Sequence, residues 1–203
     1  MDRSGLQRLI PIALVLIVIA IAVFALVSLG RTLFFGNSSP SPTPAVNVGK
    51  EALTETVASR SVRMTVRGPI VGSEKFHSYT ITASTASRNM TTYVGYIGQQ
   101  VETKQLSNDI QAYEQFVYAL DRLKLMDGAP LTGDANDTRG ICATGIVYEF
   151  EVLQDSNSLQ KLWTTSCRSA VGSLKANRAQ VTNLFHAQIP DYSKLLSKIN
   201  LSL

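Results

Sequence analysis

The sequence has little of what metal and redox chemistry needs: two cysteines and two histidines in 203 residues. Cys142 and Cys167 do not form a CxxC pair, which argues against a thioredoxin-type centre. His77 and His186 stand far apart with no ligand spacing around them, so no zinc site is expected. The chain also lacks HExxH, GxSxG and a phosphate-binding glycine loop, and with them the commonest signatures of hydrolysis and phosphoryl transfer. No catalytic residue, cofactor or metal is expected. The loop Gly133–Gly140 (GDANDTRG) has Asp134, Asn136 and Thr138 at calcium-loop spacing. Arg139 replaces the required glycine, and Gly145 stands where the bidentate glutamate belongs, so the loop reads as a polar turn.

Charge is missing in one place above all. Between Arg8 and Arg31 no residue is ionisable, and Leu9 to Gly30 runs LIPIALVLIVIAIAVFALVSLG. As a helix rising about 1.5 Å per residue, 22 residues reach the roughly 30 Å of a bilayer's hydrocarbon core. A cleaved signal peptide has a shorter apolar region, about 7–15 residues, and a small-x-small cleavage site that this run scarcely offers. The expectation is one transmembrane anchor over 9–30. Arg3, Arg8 and the α-amino group before it, against Arg31 after it, favour a cytoplasmic N-terminus over 1–8. The rest then faces out of the cytoplasm from a cell membrane. Gly36 to Val46 (GNSSPSPTPAV) reads as a polyproline-rich stalk within a linker over 31–47.

The remaining segment, 48–203, is long enough for one domain with its own core. Beyond the anchor, 16 basic residues meet 14 acidic ones, so the basic character of the whole chain overstates that of the domain. Nucleic acid is not an expected partner. Residues 161–203 hold six basic residues and one acidic, whereas 102–155 hold four and ten. Contact with an anionic surface is therefore assigned to Arg63 and Arg67, or to Lys175, Arg178, Lys194 and Lys198. The partners expected are the membrane and an anionic envelope polymer or a surface protein. Two cysteines in an oxidising compartment predict a structural disulfide, Cys142–Cys167.

Periodicity supplies the elements. Lys50 to Arg60 reads as a short helix. Val62, Met64 and Val66 alternate with Arg63, Thr65 and Arg67 as a half-buried strand. His77–Thr85 (HSYTITAST) and Met90–Ile97 (MTTYVGYI) read as two more. Leu106 to Met126 repeats Ile110, Tyr113, Phe116, Val117, Leu120 and Leu123 at three and four, an amphipathic helix with Asn108 and Gln111 as a capping box. Gly145–Leu153 and Ser158–Cys167 form a hairpin through Asp155-Ser156-Asn157, with Cys167 opposite Gly145 or Ile146. A helix with Leu174, Val181, Leu184 and Phe185 follows, then a short one capped by Asp191. The fold class expected is α+β: an N-terminal transmembrane helix, a Pro/Ser stalk, then an antiparallel sheet of about five strands packed by helices.

Three stretches, TRGICATGIVYEFEV, LWTTSC and NLFHAQIPDY, together resemble small signal-anchored proteins of unassigned function from Saccharibacteria-type bacteria. The resemblance implies a bacterial envelope protein and brings no activity with it. Two rival functions stand beside a tethered binding module. A sortase-like transpeptidase would use Cys167 at the end of LWTTSC, with His77 and Arg178; Trp163, Thr164 and Ser166 depart from the sortase motif. A pilin-like subunit would share the apolar N-terminus and late disulfide, but Ile10 stands where pilins carry glutamate and the prolines interrupt their long helix.

Overall fold

In the computed structural model, residues 47–201 are described, and Asn47–Leu203 is a compact unit of its own. Asn47 caps α1 (Val48–Leu53) by accepting a hydrogen bond from the Lys50 amide. Four strands follow: β1 (Arg60–Arg67), β2 (His77–Ser84), β3 (Ser87–Val94) and β4 (Gln99–Ser107). Helix α2 (Ile110–Arg122) leads through a loop with one 3₁₀ turn (Gly133–Asn136) to the hairpin β5 (Val147–Gln154) and β6 (Asn157–Thr165). The chain closes with α3 (Arg178–Ala187) and α4 (Tyr192–Leu196). All strands pair antiparallel in the order β4-β3-β2-β1-β5-β6, so the hairpin β5–β6 adds to the free side of β1.

Alternation decides which face of this sheet is covered. Val62, Met64 and Val66 of β1, Tyr79, Ile81 and Ala83 of β2, and Phe150 and Val152 of β5 share one buried face. The helices lie on it. Tyr113, Phe116, Val117 and Leu120 of α2 meet Val181 and Phe185 of α3, and the Phe185 ring stands edge-on to Phe116 with centroids 5.2 Å apart. The opposite face is largely polar, with one row running Thr103, Thr91, Thr80, Thr65 and Glu149 across five strands, but at β5 and β6 it also carries the buried Val147, Leu153 and Trp163.

The sheet has six strands where the sequence predicts about five. The missed strand is β4, whose core-facing positions include Glu102 and Lys104 instead of apolar side chains. An edge strand needs no hydrophobic alternation when its charges are met locally: Glu102 pairs with Lys198 at 2.8 Å and Lys104 with Asp191 at 3.8 Å. The strand takes residues through Ser107, so α2 starts at Ile110 rather than Leu106. Its cap is Asp109, which accepts from the Ala112 amide, in place of the expected Asn108–Gln111 box. Lys124 in the left-handed region and a Leu125 N–H to Leu120 C=O bond end α2 as a Schellman turn. Likewise α1 ends at Leu53 rather than Arg60, and Leu174 precedes α3 instead of lying within it. Asp191 precedes α4 but makes no side-chain capping bond.

The expected transmembrane segment, 9–30, lies outside the described residues, as do 1–8 and the linker up to Val46. Among the described residues no helix is long and apolar enough to cross a membrane. The fold class is accordingly corrected to an α+β domain on one six-stranded antiparallel sheet, in place of a transmembrane helix followed by a domain of about five strands.

Candidate functional site

One end of the sheet, where β1 and β3 finish and β2, β4 and β5 begin, carries three loops that enclose a cleft of about 490 Å³. The first loop, 68–76, leaves β1 at Gly68 and is strapped by an Ile70 N–H bond to the Ala143 carbonyl, 2.8 Å. The second is the β3–β4 turn. Gly95 and Gly98 both adopt positive φ, which lets four residues reverse the chain and pushes Tyr96 and Ile97 outward. Tyr96 stacks on Phe76 at 4.1 Å, and its hydroxyl donates to the Val71 carbonyl at 2.8 Å. Ile97 stands 94% exposed.

The third loop, 138–146, is held by the disulfide Cys142–Cys167, with Cα atoms 5.8 Å apart. Register brings the pair together: Ser166 N–H donates to the Ile146 carbonyl, and Gly145 N–H turns back to Cys142 C=O at 3.3 Å. A Cβ on Gly145 would lie 2.7 Å from Cys142 Sγ and 3.1 Å from Cys167 Sγ, so only glycine fits against the two sulfurs.

Ile70, Phe76, Tyr96, Ile141 and Val147 give the cleft apolar walls, and Arg67 is its buried-side cation. Arg67 Nη2 donates to Glu149 Oε1 at 3.0 Å and to the Thr138 hydroxyl, which itself donates to Glu149 Oε1 at 2.6 Å. Lys161 shares the same carboxylate at 3.6 Å, and Arg63 pairs with Glu151 at 2.7 Å. Lys161 also donates to the Asn136 carbonyl at 3.1 Å and helps lower the nearby Asp137 carboxyl, so that carboxylate belongs to the same network. Arg67 Nε is buried and finds no acceptor. At the rim, Arg139 beside Asp137 holds that carboxyl down to about 2, and the pair is charge-balanced.

The six basic residues singled out from sequence do not converge. Arg63 and Arg67 lie on the polar sheet face, each bound to a β5 glutamate. Arg178, on the helical side, donates to the Thr165 carbonyl at 3.0 Å and covers the Tyr148 ring at 4.8 Å. Lys194 pairs with Asp191 and Lys198 with Glu102, while Lys175 is exposed on the segment before α3. The sortase-like set is not assembled either. Cys167 Sγ is bonded to Cys142, and His77, on β2 with β1 and β5 between it and β6, places Nδ1 3.1 Å from the Asn200 carbonyl. His186 is the more unusual histidine: half-buried, stacked on Tyr192 (4.2 Å) and 2.9 Å from the Tyr79 hydroxyl, its pKa is lowered to about 4 by desolvation.

Sequence reasoning passes over Tyr96, Ile97, Ile70 and Ile141. The available signal is Gly95-Tyr96-Ile97-Gly98, an apolar pair bracketed by glycines, which marks a turn with its side chains displayed and not a continuing strand. Compared with known proteins, the chain matches no family model and no curated protein.

Proposed function

We propose that this protein is a membrane-tethered, extracytoplasmic binding module of the cell envelope, and that its ligand seat is the cleft at the β1/β3 end of the sheet. The tether rests on the 22 uncharged residues 9–30, and the outside location on the disulfide, which persists in oxidising compartments. The observation that carries the seat is apolar surface left open beside two arginines, Arg67 and Arg139. Ile70, Tyr96 and Ile97 are all exposed around a concave, largely carbon-lined site, the usual composition of a binding pocket. The basic residues Arg63, Arg67, Lys194 and Lys198 are scattered and each is ion-paired, which leaves no broad basic surface to grip an anionic polymer, so the apolar cleft is the better-supported contact.

Photo-crosslinking in whole envelopes tests this. A benzophenone amino acid at position 96 should give adducts absent when it replaces Tyr118, a comparably exposed tyrosine on α2. Equal patterns from both positions, or none from 96, would refute the cleft as the seat.

A further inference from the structure

We infer that the occupant of the cleft is the C-terminal end of a partner polypeptide, its last side chains apolar and its carboxylate held by Arg67 and the loop 139–141. This deepens the reading of the cleft as the ligand seat and rests on it. Charge complementarity comes first. Two arginines, Arg67 and Arg139, line the cleft and no carboxylate does; their partners, Glu149 and Asp137, stand outside its lining. The Arg67 side chain stays 26% exposed there. An anionic group in the cleft meets cations and no anion on its walls, Arg67 Nε has no acceptor, and a guanidinium is the donor best matched to a carboxylate.

The backbone of the third loop lines the same cleft. Gly140 and Ile141 both line the cleft, and among the described residues their N–H groups meet no acceptor. Gly140 adopts φ +75°, a left-handed conformation that backbone anion-binding nests include. A carboxylate thus has a cation and backbone donors, while the chain attached to it has Ile70, Phe76 and Ile141 to lie against.

The remaining apolar surface selects a polypeptide over a small amphiphile. Tyr96 is 53% exposed and Ile97 stands outside the cleft altogether, so a ligand confined to about 490 Å³ leaves the turn's apolar tip in water. A chain that enters the cleft by its end covers that tip with the residues preceding it. An internal segment would instead bring peptide groups in from both sides, against walls that offer them few partners.

The test uses the full chain in lipid nanodiscs. Two hexapeptide pools ending in Leu, Ile, Val or Phe are compared, one as free acids and one as C-terminal amides, with dodecanoate as a third ligand. Free acids should bind at least about ten-fold more tightly than amides, the worth of one charge-assisted hydrogen bond. Arg67→Gln should bring the acids down to the amide level, and Ile141→Asp should abolish both. Equal affinity of acids and amides for the unmodified chain would overturn the carboxylate inference and leave the cleft as an apolar seat. Binding of dodecanoate with neither pool retained would overturn the polypeptide in favour of an acyl carboxylate. Retention unaffected by Ile141→Asp would overturn the cleft reading itself.

Discussion

Removing the disulfide should cost the domain about 3.5 kcal/mol and loosen one wall of the cleft. The figure follows from the chain-entropy argument. Cys142 and Cys167 are separated by 25 positions, and a cross-link that closes a loop of that length removes about 12 cal/mol/K from the unfolded ensemble. For a domain of this size each kcal/mol corresponds to about 2–4 °C, so Cys142→Ser with Cys167→Ser should melt about 7–14 °C lower than the parent. The fragment Asn47–Leu203 is the material for the measurement, by circular dichroism at neutral pH with and without reductant. Reduced parent and double variant should melt together. The strands should survive, because β5 and β6 keep their full register without the sulfurs. Only the 138–146 wall loses its pin, and amide exchange should rise there before anywhere in the sheet. A melting shift under about 3 °C, or exchange rising equally in β1 and β5, would refute the reasoning.

Three further outcomes are expected. His186 is neutral in the folded domain, with a pKa near 4 against 6.5 when unfolded. The unfolded chain therefore binds more protons between those values, and stability that is complete above about pH 6.5 is lost as pH falls toward 4. After allowance for partial solvent exposure the loss is about 1–2 kcal/mol, and His186→Gln should flatten that part of the stability–pH curve. Phe185→Ala empties a fully buried site between Phe116 and Phe150 and should destabilise by about 3–5 kcal/mol in urea titration, with α2 and α3 exchanging first. Gly172→Ala would put a Cβ 2.0 Å from the Trp163 carbonyl oxygen, so the segment that pairs with the β6 edge must shift. A cost of about 1–3 kcal/mol is expected, and a neutral result by the same titration would contradict the packing.

The polar network on the sheet face away from the helices shows how far a pattern of residue types carries. Alternation alone puts Arg63 and Arg67 on one outward face of β1. It does not say that Glu151 and Glu149 arrive opposite them, because that depends on β5, some eighty residues later, pairing with β1. Two cations that read as a free basic surface are therefore largely spent within the fold. The same is true of Lys198, whose partner Glu102 lies on a strand that apolar periodicity cannot detect.

The sequence by itself determined the α+β class, the inward face of β1, the apolar stripe of α2 and the pairing of Cys142 with Cys167. Each of these is written in local periodicity or in a count of two. The tertiary structure alone decided the sixth strand, the placement of β5 beside β1, and the cleft. Ile70, Phe76, Tyr96 and Ile141 come from three separate loops, and no local pattern relates them. They meet because antiparallel pairing gathers alternate strand ends at one edge of the sheet, and because a disulfide fixes the third loop against the other two. Periodicity describes what a segment buries against its own sheet; a site between loops exists only once long-range pairing has set where each strand stops.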